Sequence, residues 1–263
     1  MTMEVFDRAE FARCRRAMRG VRPLVQCLTN DVVQEITANV LLAAGASPAM
    51  VVSPEESGDF ARIAHAVLVN IGTPTPERIE GMRRAVEGAE AVGHPWVLDP
   101  VAAGILPWRD GVIRSFVERR PTVIRGNASE ILALAGAGQG GCGVDSTDAS
   151  DAAVETAKRF ATETGSIVVV TGERDFVTDG TRTLVVEGGH PTATLVVGTG
   201  CSLSGLVAAY VGAMPEEPLN AAAAACFAAK RAAEAAARLS TRPGTFHTAY
   251  IDALFDEDCD EDL

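Results

Sequence analysis

Apolar residues fall in short, nearly unbroken runs: Leu24 to Leu28, Ala49 to Val52, Ala66 to Ile71, Trp96 to Leu98, Thr122 to Ile124 and Ile167 to Val170. Short runs without polar alternation suit strands buried on both faces, as in a parallel sheet covered by helices. The segments between them have helical spacing. Pro76 to Val92 sets Ile79, Met82, Ala85 and Val86 among charged residues, and Ala152 to Thr164 behaves likewise. Strand and helix therefore alternate, and the expected fold is α/β, a doubly wound, mostly parallel central sheet flanked by helices. Late in the chain Phe176 to Thr178 and Thr183 to Val186 flank Asp179-Gly180, which predicts a β-hairpin. Three helices are expected after it: Ser202 to Val211, the alanine-rich Leu219 to Leu239, and Thr248 to Phe255. Gly136 to Gly143 reads as a loop, and Asp256 to Leu263 as a disordered acidic tail. With no repeat and no linker, the 263 residues are expected to form one domain.

Charge narrows the range of partners. The 35 acidic against 23 basic residues give a net charge of -12, which argues against a surface that tracks nucleic acid or an anionic membrane. A small molecule is the expected partner. The cysteines at 14, 27, 142, 201, 226 and 259 form no C-x-x-C pair, and they read as reduced thiols of a cytoplasmic protein. The N-terminus lacks a basic segment followed by an apolar run, and no later stretch approaches the ~18 apolar residues of a membrane span. The four histidines form neither H-E-x-x-H nor a nucleophile-elbow pattern, so metallohydrolase and serine-hydrolase chemistry have no footing.

The candidate chemistry sits at the ends of the apolar runs. Val197-Gly198-Thr199-Gly200-Cys201-Ser202 stands where an apolar segment meets a helix. Glycines there let backbone N–H groups turn toward an anion, and the helix start adds partial positive charge. A plain tight turn around a buried thiol would use the same residues. If the helix start acts on Cys201, its thiol is expected below the ordinary value of about 8.5 and able to accept a proton. Asp99 closes one run, and Glu130 follows another at a helix start. In an open parallel sheet these ends converge on one crevice, where two carboxylates suit Mg²⁺ held through waters. Asn127 and Glu130 also fit a capping box, N-x-x-E, which is the structural alternative. Arg125 would empty into the same crevice as a phosphate clamp, and Thr171 offers a hydroxyl there. Met50 offers soft apolar contact to a flat heterocycle, though it could equally be core.

In chain order these segments resemble the hydroxyethylthiazole kinase family, of ribokinase-like fold. The resemblance runs through Pro23-Leu24-Val25, Cys27 to Val33 with Asn30, Thr37-Ala38-Asn39 to Met50, and Asn70-Ile71-Gly72-Thr73. It continues through Leu98-Asp99-Pro100-Val101, Ile124 to Ile131, Val170 to Glu173 and Val197 to Leu203, and is collinear from about Val21 to Phe255. Two departures are mild: Gln26 stands where a His is usual, and Arg242-Pro243-Gly244-Thr245-Phe246 replaces a G-P-G-S-F. The resemblance implies an enzyme that uses ATP as co-substrate and Mg²⁺ to phosphorylate the hydroxyl of 4-methyl-5-(2-hydroxyethyl)thiazole in thiamine biosynthesis or salvage. It implies that Met50, Gly198, Gly200 and Asn30 contact the thiazole alcohol and that Arg125, Thr171 and Asn127 bind ATP. Asp99 and Glu130 would lie at the metal, with Cys201 as the catalytic base. It further implies a homotrimer with active sites between subunits. A pyrimidine or sugar kinase, or a nicotinamide-hydrate dehydratase, would share the fold but usually carries Asp at the position of Cys201. A non-catalytic sensor would need neither the carboxylates nor a proton acceptor.

Overall fold

From the N-terminus, the computed structural model of the chain runs through β1 (Met3–Val5), α1 (Arg8–Val21), β2 (Leu24–Leu28), α2 (Gln34–Ala44), β3 (Ser47–Ala49), α3 (Ser57–Ala61) and β4 (Ala66–Asn70). Next come α4 (Pro76–Val92), β5 (Trp96–Asp99), α5 (Pro107–Val117), β6 (Val123–Asn127), α6 (Ala128–Leu134) and α7 (Thr147–Thr164). The hairpin region follows as β7 (Ile167–Thr171), β8 (Asp175–Thr178) and β9 (Thr183–Val186), and the described chain closes with α8 (Thr199–Ala213), α9 (Pro218–Leu239) and α10 (Pro243–Phe255). Residues 3–136 and 147–256 are described, the side chains of 147–152 excepted. The expected glycine-rich loop beyond Gly136 and the acidic tail beyond Asp256 lie outside them.

The strands form one open sheet in the order β1-β9-β8-β7-β6-β5-β4-β2-β3. β8 alone runs against its neighbours, β7 and β9, so the expected hairpin sits inside an otherwise parallel sheet. The apolar runs need no polar alternation because both faces are covered. In β4, Ala66 and Leu68 join the core under α8 while Val67 and Val69 join the one under α4. β7 divides in the same way, with Val169 on the first face and Val168 and Val170 on the second.

Local signals set the helix ends. Thr75 accepts a hydrogen bond from Arg78 N at the start of α4, Pro76 fills its first turn, and Gly93 ends it in the left-handed region. The alanines of α9 let it lie close against α8 and α10, and Ala221 to Ala225 are fully buried.

Two parts of the N-terminal half differ from the pattern-based expectation. No apolar run marks β1 or α1 in the sequence, yet β1 adds to the sheet beside β9. The signal for α1 was its cap: Asp7 accepts from Glu10 N at 2.8 Å. The run Ala49 to Val52 meets the strand only at Ala49: β3 begins at Ser47 and ends at Ala49, and Met50 to Val52 lie beyond it. Pro48 fits within it because β3 is the last strand of the sheet, where a missing N–H leaves no ladder bond broken on the outer side.

Candidate active site

Parallel register brings the strand ends to one edge of the sheet. Asn70 ends β4 level with Asp99 at the end of β5, and Asn127 ends β6 level with Thr171 at the end of β7. Asn30 follows β2 and caps the short 3₁₀ turn Asp31–Val33. α8 starts over this edge and packs on β2, β4 and β5.

The start of α8 is open toward a ligand. Gly198 caps it at φ +91°, and no side chain bonds its first N–H groups. Thr199 Oγ1 instead donates back to the carbonyls of Ala193 and Val196, at 2.9 and 3.3 Å. The first-turn amides are thus left as anion donors. Arg125 lies across them: a Cβ built on Gly200 would sit 3.3 Å from its Nη1. Its Nη2 donates to Thr171 Oγ1 at 2.6 Å, while its buried Nε has no partner. A guanidinium held by one hydroxyl beside free helix amides can receive phosphate oxygens.

A buried polar chain runs beneath this turn. Asp99, 1% exposed, accepts at Oδ2 from Asn70 Nδ2 at 2.7 Å and from Ser204 Oγ at 2.9 Å. Asn70 Oδ1 accepts from Asn30 Nδ2 at 2.9 Å, and the same amide reaches Cys201 Sγ at 3.6 Å. Burial pushes the Asp99 carboxyl up to about 7, opposed by the Arg125 charge and reinforced by that of Glu130. The expectation for Cys201 is corrected. Its thiol is pushed up to about 11, first by burial and then by the Asp99 charge, against the bonds from Asn70 and Asn30 and the charge of Arg125. Desolvation of a thiolate beside a carboxylate outweighs the partial charge of a helix end.

Asn127 and Glu130 do form the capping box. Asn127 Oδ1 accepts from Glu130 N at 3.0 Å, and Glu130 Oε2 accepts from Asn127 N at 2.9 Å. Glu130 Oε1 accepts from Ala102 N at 2.9 Å, so the residue also ties the loop after β5 to α6. Among the described residues no three His, Cys, Asp or Glu side chains gather as a metal cage. Two carboxylates already holding N–H and O–H donors suit a Mg²⁺ that keeps most of its waters and arrives on phosphate oxygens.

Beside the turn opens a cleft of about 680 Å³, within the size range of small-molecule sites. Arg125, Asn127, Thr171 and Gly200 line it together with Lys230 and Tyr250. Met50 stands apart from this lining, just past β3, partly buried against the core. Gln26 holds the segment behind it, its Nε2 donating to the carbonyls of Val51 at 2.8 Å and Ser57 at 3.1 Å. Sequence reasoning gave no separate role to Asn70, Ser204, Asp175 or Lys230. Asn70 had a signal, a polar residue closing an apolar run as Asp99 does, and so had Lys230, a cation within an alanine run.

An open, mostly parallel sheet between helices, with strand ends gathered under a helix start beside a cleft, is the ribokinase-like fold. A ribokinase-like superfamily protein from Enterococcus faecalis V583 shares that fold with a TM-score of 0.66 at 12% identity, over 96% of this chain and 95% of that one. The chain belongs to the hydroxyethylthiazole kinase family, whose model matches residues 16–258. Hydroxyethylthiazole kinase of Klebsiella pneumoniae strain 342 is 52% identical over 254 residues, which is 97% of this chain and 98% of the relative. Its counterpart in Citrobacter koseri is 49% identical over 263 residues, 100% of each chain. The hydroxyethylthiazole kinase structure from Pyrococcus horikoshii OT3 superposes with a TM-score of 0.86 at 38% identity, covering 93% of this chain and 92% of that one.

Proposed function

We propose that the chain carries out the reaction of its family in thiamine biosynthesis, with MgATP in the cleft and the thiazole alcohol over the turn that starts α8. The γ-phosphoryl group passes to the primary hydroxyl of 4-methyl-5-(2-hydroxyethyl)thiazole, releasing ADP. The observation that carries this reading is the uncapped start of α8 with the Arg125 guanidinium laid across Gly200. Preorganised N–H donors there stabilise charge on the transferred group, which is most of what phosphoryl transfer asks of a protein. Arg125, Thr171 and Asn127 hold the nucleotide. Asp99 and Glu130 are the residues that would hold Mg²⁺, and the metal would supply charge neutralisation on the phosphates.

Cys201 takes the proton of the attacking hydroxyl. Only its thiolate can do so, and with the thiol pushed up to about 11 that form is scarce near neutral pH, so the base contributes little, as a loose transition state allows. The Asn30 amide donates to the sulfur and favours that thiolate before the transfer. Met50 and Gly198 receive the ring. Val32, Leu195 and Val197 are exposed around this turn, an apolar patch that a neighbouring subunit of the homotrimer implied by the family resemblance would cover. All described cysteines are free thiols, which supports a reducing cytoplasm. No helix among the described residues is long and apolar enough to cross a membrane.

A coupled ADP-release assay over a panel of thiazole, pyrimidine and sugar alcohols, with and without Mg²⁺, tests the reading. The thiazole alcohol is expected to give the highest kcat/KM, and only with the metal. Turnover of a pyrimidine or sugar alcohol alone would sink it.

A further inference from the structure

Lys230 interrupts the alanines of α9 and is 8% exposed in the wall of the cleft. A lysine beside a nucleotide cleft would ordinarily be read as a phosphate ligand. Its surroundings contradict that. Nζ donates to the carbonyl oxygens of Gly172 at 3.1 Å, Glu173 at 2.9 Å and Gly188 at 3.2 Å, and Asp175 Oδ1 stands 3.3 Å away. An ammonium has three donors, and all of them are taken.

The oxygens come from two loops. Gly172 and Glu173 follow Thr171 at the end of β7, and Gly188 lies beyond β9; all three line the cleft. Asp175 also accepts from Gly172 N at 3.0 Å, which closes the first loop on itself. Gly188 and Gly189 lie at φ +100° and +90°, and a Cβ on Gly189 would sit 3.3 Å from Lys230 Cγ. The second loop therefore rests directly on the lysine stem.

We propose that Lys230 is a positioning residue whose ammonium serves as a built-in monovalent cation. It joins the loops after β7 and β9 and so sets the shape of the ATP cleft without touching the nucleotide. This rests on the reading of the cleft as the nucleotide site. Removing the side chain leaves a cage of carbonyl and carboxylate oxygens that a small ammonium ion can refill.

The test compares Lys230→Ala with Ala233→Trp, which fills the cleft from the same helix without entering the cage. Both are assayed in ammonium chloride and in tetramethylammonium chloride at equal ionic strength. Lys230→Ala should raise the KM for ATP about 10- to 100-fold, the scale expected of misplaced binding groups, and leave the KM for thiazole within about twofold. Ammonium should recover most of the loss, and the bulky tetramethylammonium none. Ala233→Trp should raise the ATP KM in either salt. If Ala233→Trp does so and Lys230→Ala does not, the cleft stands and the role of Lys230 is refuted. If neither variant moves the ATP KM, the cleft reading falls and the proposal with it. Equal rises in both KM values, or no ammonium rescue, also overturn it. Should Lys230→Ala lack a cooperative melt, the double variant Lys230→Met/Asp175→Asn removes both charges together. Calorimetry must then show weakened ATP binding with thiazole binding intact, and unchanged ATP binding would refute the role.

Discussion

Gly198 and Gly200 stand in the same turn, yet alanine should act differently at each. Gly198 lies at φ +91°, and an added Cβ would fall 2.6 Å from Ile36 Cγ2 and 3.0 Å from Val33 Cγ1. The left-handed backbone costs an L-residue about 1–2 kcal/mol, and forcing a methyl into packed side chains adds about 1–3 kcal/mol. Gly198→Ala should therefore lose about 2–5 kcal/mol, roughly 4–9 °C in Tm for a chain of this size. Relief of the clash moves the turn off α2, so the first-turn amides shift and kcat falls as well. At Gly200 the backbone is helical, and the Cβ meets only the end of the Arg125 side chain, at 3.3 Å from Nη1. Gly200→Ala should keep or slightly raise Tm, since alanine favours a helix by about 1 kcal/mol, while displacing the guanidinium and raising the KM for ATP. Thermal melts and steady-state kinetics on both variants are enough to decide. A Gly198→Ala protein that melts with the wild type would refute the reasoning, and so would a Gly200→Ala protein with unchanged KM for ATP and lowered Tm.

Arg125→Ala should raise the KM for ATP more than that for thiazole, because a guanidinium held on Thr171 as the proposed phosphate clamp would act on the nucleotide and not the ring; a change confined to the thiazole KM would remove the clamp. Cys201→Ser should lower kcat toward the low end of the ~10²- to 10⁴-fold worth of a general base. Cys201→Asp should match or exceed the wild type near neutral pH, with its advantage shrinking at alkaline pH as the wild-type thiol nears its value of about 11 and ionises. If both variants equal the wild type with chemistry rate-limiting, Cys201 is a packing residue. The Asp99 carboxyl sits at about 7 in the fold against an ordinary 3.8, so between those values the native protein keeps a proton that the unfolded chain has lost. Stability of the metal-free protein should fall as pH rises through that window, by at most about 4 kcal/mol at about 1.4 kcal/mol per pH unit. Melting curves in chelator should show this slope, and Asp99→Asn should flatten it; an unchanged slope in the variant would place the titration elsewhere.

Residue order alone pointed to the doubly wound sheet, because a strand covered on both faces is apolar on both, and a run as short as Ala66 to Val69 between helix-length segments fits that arrangement. It also determined where chemistry would gather. Parallel strands end on the same side, so Asp99, Arg125 and Thr171, each closing or following an apolar run, had to meet at one edge. The hairpin and the capping box of Asn127 and Glu130 were legible too, since both are contacts between residues a few positions apart. β1 was not, for a three-residue strand carries little pattern and owes its place to β9 across the whole chain. The thiol of Cys201 was misjudged for the same kind of reason. Its helix start is local and visible in the sequence, while the desolvation and the Asp99 charge that outweigh it exist only after folding. Tertiary structure alone decided that Asn70 and Ser204 hold Asp99, that Asn30 reaches the sulfur, and that the three donors of Lys230 are spent on two loops. Proton affinity and donor saturation depend on what lies within a few ångströms in space, and spacing along the chain does not encode that distance.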